Sequence, residues 1–185
     1  VKKNLSKLFI FGLFLFLVLG CGALSKIKQG IDDAQKPKTI ISTDGKCQVT
    51  VPGGWQKQTD LNDEAIIQAA NPIGELYVIV LPENKAGIGD TDLDDAAGAV
   101  RDSLTKMIPG AVLSPPISTT INGLPARQFE VGAEVEHLKV TYLYAVVDAP
   151  ETFYQVITWT LTPRLERNRG KLLEVINSFK ETGKP

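Results

Sequence analysis

Two cysteines, one histidine and a run of aspartates are the side chains through which this chain could do chemistry. A thiol becomes a nucleophile when a nearby cation lowers its pKa, and Lys46 adjoins Cys47. Neighbours in a strand point to opposite faces, however, and Cys47 shares its face with Val49 and Val51, so it is expected in the core. His137 is the sole imidazole, which excludes a two-histidine zinc site within one chain. It heads a strand with polar Lys139 and Thr141 on its side, and partial exposure is expected. Asp90-Thr91-Asp92-Leu93-Asp94-Asp95 carries the alternating carboxylates that open an EF-hand loop, which makes Asp90, Asp92 and Asp94 candidate cation ligands. That loop needs Gly at its sixth place and Glu at its twelfth, where this chain has Asp95 and Arg101. A helix start fits better: acidic side chains there accept from free N–H groups and meet the positive end of the dipole. With no Gly-x-Ser-x-Gly elbow and no phosphate loop either, no catalytic residue and no cofactor is assigned, and the chain reads as a non-enzyme.

Cys21 has a different chemistry open to it. Lys2, Lys3 and Lys7 precede Leu8 to Gly20, a stretch of 13 uncharged and mostly apolar residues. As a helix this would span about 20 Å at about 1.5 Å per residue, short of the roughly 30 Å hydrocarbon core, which suits the central region of a signal peptide. The run ends at Val18-Leu19-Gly20-Cys21, which resembles the bacterial lipobox, the motif whose cysteine receives diacylglycerol. An uncleaved anchor helix and a plain secretory signal are the alternatives. The lipobox reading divides the chain into a lipoprotein signal peptide at 1–20, lipidated Cys21 with a polar tether at 21–38, and a folded domain at 39–185. It implies an extracytoplasmic protein held to a bacterial membrane, whether plasma, outer or thylakoid, by acyl chains such as palmitate. Each buried methylene contributes about 0.8 kcal/mol, so two or three chains would hold it there. Lipid on Cys21 would also leave Cys47 without a disulfide partner.

Removing the 20 leader residues leaves 165, room for one domain. The hydrophobic share of 43% and charged share of 22% are those of globular chains. Without the three leader lysines the balance is 17 basic against 21 acidic side chains, so nothing favours nucleic acid. Apolar alternation predicts strands at Cys47–Val51, at Ala65–Ala70 and, beyond the Asn71-Pro72-Ile73-Gly74 turn, at Leu76–Leu81, which is apolar on both faces and so belongs inside a sheet. Leu93, Ala96, Ala97, Val100, Leu104 and Met107 or Ile108 mark one helical face, beginning near Thr91 or Asp92 and ending at Pro109-Gly110. A hairpin about Asn122-Gly123 joins Ser118–Ile121 to a strand through Phe129 and Val131. Two more strands follow, with Leu138, Val140, Tyr142, Tyr144 and Val146 along the first and Phe153, Ile157, Trp159 and Leu161 along the second. The last helix is predicted to open with Thr162 as cap and Pro163 at its first position, burying Leu165, Leu172, Leu173, Ile176 and Phe179. This segregated order implies an α+β fold, a mainly antiparallel sheet with helices packed on it.

Val51-Pro52-Gly53-Gly54-Trp55, Asn122-Gly123-Leu124-Pro125-Ala126 and Val175-Ile176-Asn177-Ser178-Phe179 resemble the corresponding segments of the PsbP/Mog1 family over roughly Thr39 to Glu181. The resemblance implies an α/β/α sandwich and an adaptor-like role: the photosynthetic branch sits on the lumenal face of photosystem II, and cyanobacterial members are often lipoproteins. The motifs are structural, so they speak for fold more than for function. Trp55, which could project from its Gly-Gly turn although such a tryptophan more often folds back onto the sheet, and Arg164, Arg167 and Lys171, on the basic outer side of the last helix, are the candidate partner-binding residues. The expected partners are the membrane, through Cys21, and a protein in or near a membrane complex. A periplasmic carrier of a small ligand or weakly bound cation, or an unrecognised enzyme, is the competing expectation.

Overall fold

A computed structural model describes residues 36–183. Contacts divide the chain into Val1–Lys36 and Pro37–Pro185, and the leader and Cys21 lie outside the described residues. Among the described residues are eleven strands and two α-helices. Strands β1 (Lys38–Ile41), β2 (Cys47–Val51) and β11 (Lys180–Glu181) make a small sheet in the order β1-β2-β11. Strands β3 (Gln56–Lys57), β4 (Ile67–Asn71), β5 (Leu76–Asn84), β10 (Thr152–Leu161), β9 (Leu138–Asp148), β8 (Leu124–Val135) and β6 (Val112–Leu113) form the large one in that order. Strand β7 (Ile117–Ile121) also pairs with β8, and every pairing is antiparallel.

Helix α1 (Leu93–Met107) buries Leu93, Ala96, Ala97 and Leu104 on one face of the large sheet, against Ile79, Phe129, Val131, Tyr144, Val146 and Ile157. Helix α2 (Leu165–Asn177) covers the opposite face together with the small sheet, so that Leu172, Val175 and Ile176 meet Val49, Val51, Val78 and Val156. The result is the expected α/β/α sandwich. Asn122 and Gly123 take φ values of 47° and 87°, the left-handed pair a two-residue hairpin needs. The Asn122 amide also donates to the carbonyls of Asn177 (3.0 Å) and Phe179 (2.7 Å), tying the hairpin to the end of α2.

Several local expectations shift. β1 begins at Lys38, the last residue given to the tether, so the fold starts just before 39. β4 starts at Ile67 instead of Ala65, because a turn in which the Ala65 N–H donates to Asn62 O delays it. Met107 is 69% exposed, and Ile108 is the residue that packs at the end of α1. From Val140 onward β9 is buried on both faces, since helices cover both sides of the sheet. Thr162 is not a helix cap: Thr162–Arg164 is a 3₁₀ turn, the Thr162 hydroxyl lies 2.9 Å from that of Thr141, and α2 starts at Leu165 with no capping side chain.

Candidate functional site

The candidate residues fall into two sets, those absorbed by the fold and those left on its surface. Cys47 is fully buried, and desolvation pushes its thiol up to about 12, so it is protonated and shielded in the native domain. Trp55 is only 1% exposed. Its ring folds back into the core beneath the small sheet instead of projecting from the Gly-Gly turn, which removes it as a surface anchor. Its Nε1–H is buried without an acceptor.

Asp92 is the N-cap of α1, its Oδ1 accepting the Asp95 N–H at 2.8 Å. Asp94 grips Arg127 with both oxygens, at 2.6 and 2.9 Å, and that hydrogen-bonded guanidinium holds its carboxyl below the usual carboxylate range. The acidic run thus fixes the start of α1 to β8 and does not converge with Asp90 on a point. Among the described residues no three side chains of metal-binding type are gathered. His137 lies in the β8–β9 turn, where Glu136 and His137 have φ of 50° and 67°, and its ring is fully exposed.

The basic side of α2 is partly neutralised. Arg164 pairs with Glu75 at 2.8 Å, and Arg169 bonds to Glu130. Arg167 and Lys171 stand exposed beside them. Two features escaped the sequence reading. One is an aromatic row across the α1 face, in which Trp159 stacks on Tyr77 (centroids 5.1 Å apart) and leans on Tyr142 (5.8 Å), all three partly exposed. Its signal was in the pairing register, Tyr77↔Trp159↔Tyr142, which only strand alignment reveals. The other is an open cleft of about 600 Å³ between β1 and β3, lined by Lys38, Thr39, Ile41, Lys57 and Trp55. The β-branched run Thr39-Ile40-Ile41 was a strand signal, masked by the polar segment before it. A smaller cleft of about 330 Å³ lies between Glu151, Tyr154 and Glu181.

No protein-family model and no curated protein matches the chain. Solved structures do. The solution structure of cyanobacterial PsbP (CyanoP) from Synechocystis superposes with a TM-score of 0.60 at 13% identity, covering 80% of this chain and 93% of that one. LpqN of Mycobacterium tuberculosis, described as involved in cell envelope biogenesis, has a TM-score of 0.60 at 16% identity, covering 84% and 96%. The Ran-binding protein Mog1p of Saccharomyces cerevisiae follows at 0.56 and 15%, covering 79% and 95%. Likeness at such identity is likeness of fold, and the fold is the Mog1/PsbP-like one: a large antiparallel sheet with two helices packed on it.

Proposed function

We propose that this protein is a non-enzymatic binding module, held to the outer side of a bacterial membrane by lipid on Cys21, that docks a protein in or beside a membrane complex. The observation that carries the reading is the filling of the sandwich. Both faces of the large sheet are packed with side chains, and the thiol and the acidic run are spent on core and capping. The groups available for recognition lie on edges and open surface, where a macromolecule can reach them. Fold neighbours of stated role point the same way, since Mog1p is a Ran-binding protein and LpqN serves cell envelope biogenesis. No helix among the described residues is long and apolar enough to cross a membrane. In this reading the attachment comes from Cys21.

Between a lipidated Cys21 and the start of β1 stand about 16 residues, Gly22 to Pro37; a coil of that length would reach about 20 to 25 Å, and such confinement would raise the effective concentration of a membrane partner. The test is twofold. Labelled palmitate should enter the wild-type protein and not Cys21→Ser. Crosslinking in intact membranes should capture a membrane protein, and Cys21→Ser should lose most of that product while folding normally. Equal labelling of both forms would overturn the anchor. A domain that crosslinks to nothing, while a small molecule copurifies at one per chain, would replace the adaptor with a carrier.

A further inference from the structure

We infer that the cleft between β1 and β3 is a strand-addition site for an extended acidic segment of a partner protein, an inference that rests on the protein-binding reading and gives it a surface. The backbone pattern comes first. In the β1–β2 ladder residues 42 and 47 face each other, with the Ser42 N–H donating to Cys47 O at 2.9 Å. Antiparallel pairs alternate between bonded and non-bonded, so the register Ile40↔Val49 and Lys38↔Val51 continues the bonded set. Thr39 and Ile41 therefore turn their N–H and C=O groups away from β2, to the open edge. The next residue of that parity shows the direction, because Thr43 N–H donates across to Ile66 O at 2.9 Å, at the start of the large sheet. The same argument holds on the other bank. The Gln58 N–H donates to Gln68 O, which makes Gln56↔Ala70 a bonded pair and leaves the backbone of Lys57 facing outward.

The two sheets are thus joined at Thr43–Ile66 and open from there, with unpaired backbone on both sides of the gap. An extended peptide entering it would continue the ladder of β1, the mode in which main-chain hydrogen bonds supply affinity and flanking side chains supply choice. The flanks choose charge. Lys38 and Lys57 stand on opposite banks, and no carboxylate lines the cleft. Ile41, 50% exposed, offers apolar contact between them, and Trp55 closes one wall. An edge lysine normally discourages strand pairing. Against a carboxylate the same lysine favours it, so the edge is closed to neutral or basic strands and open to acidic ones.

The experiment uses the full-length chain purified in detergent and two fluorescent hexapeptides, one alternating valine with aspartate and glutamate, the other alternating valine with lysine. The acidic peptide should bind saturably and the basic one should not. Thr39→Pro removes an outward-facing N–H without touching the ladder to β2, a placement edge strands tolerate. It should weaken the acidic peptide by about tenfold or more with no change in circular dichroism. Lys57→Glu, on an exposed side chain, should also weaken the acidic peptide and admit the basic one. Failure of the acidic peptide to bind, equal binding of both peptides, or unaltered affinity in both variants would overturn the site. The membrane crosslink is read separately: if Thr39→Pro leaves the captured protein undiminished, the site is wrong and the adaptor reading stands.

Discussion

The two faces of the large sheet are sealed by different means. On the α2 face a helix and a whole second sheet lie over the strands, and Val49, Val51, Val78, Leu172, Val175 and Phe179 are all fully buried. On the α1 face a single helix sits over β8 and β9, and the row Tyr77, Trp159 and Tyr142 is left half-covered along its flank. The lesson is that the α2 side bears stability while the α1 side is built more loosely, and each tryptophan reports on one of them. Trp55→Ala should lower the unfolding free energy by about 3–5 kcal/mol, the range for a buried aromatic, whereas Trp159→Ala should cost less, about 1–2 kcal/mol, because its ring is only partly buried. Urea titrations followed by circular dichroism give both numbers, and equal losses would break the contrast. Acrylamide should quench Trp159 and spare Trp55.

Smaller effects sharpen the same contrast. Asn168 is a buried polar group on the α2 side, donating to Thr160 Oγ1 at 3.1 Å and to Gly74 O at 3.4 Å. Asn168→Ala orphans the buried Thr160 hydroxyl and should cost about 1–3 kcal/mol in the same titration. On the α1 side, Asp92→Ala removes only a cap and should cost about 1 kcal/mol. A further effect is a pH dependence. Burial raises Cys47 from 9.0 to about 12, and burial likewise raises Tyr154 from 10.0 to about 12. The unfolded chain therefore releases these protons first. The stability they confer is complete below pH 9 and is lost as pH rises from there toward 12. Melting temperatures across that range should fall, and Cys47→Ala should flatten the first part of the decline.

Most strands and both helices were legible because their signals are local. Leu76–Leu81 is apolar on both faces, Asn122-Gly123 is a hairpin pair, and Leu93 to Leu104 keeps helical spacing. Where a residue's role depends on something distant, local pattern misled. Thr162 looks like a cap, but the hydroxyl of Thr141, twenty-one positions earlier, claims it. For Trp55, after two glycines, local pattern left both an exposed anchor and a ring folded back on the sheet open, and the closing of α2 and the small sheet settles it as buried. β11 has only two residues, Lys180 and Glu181, both charged, and nothing in its composition announces a strand. It exists because β2 offers it an edge. The cleft was invisible for the same reason, being made of two strand edges whose approach depends on the contact between Thr43 and Ile66.

That late strand has a consequence for timing. β2 lies between β1 and β11, its Cys47 paired with Glu181, and Thr50 exchanges hydrogen bonds with Ser178 across 128 positions. The first strands of the fold are thus completed by residues about 130 positions further along. A contact of such separation carries a large closure entropy and forms late. A chain delivered from its N-terminus cannot finish its small sheet, nor seal the α2 face, until residues 165–181 have been added. Until then Cys47, Val49 and Val51 lack the cover that α2 and β11 give them, and the arrival of those two elements completes the core on that face.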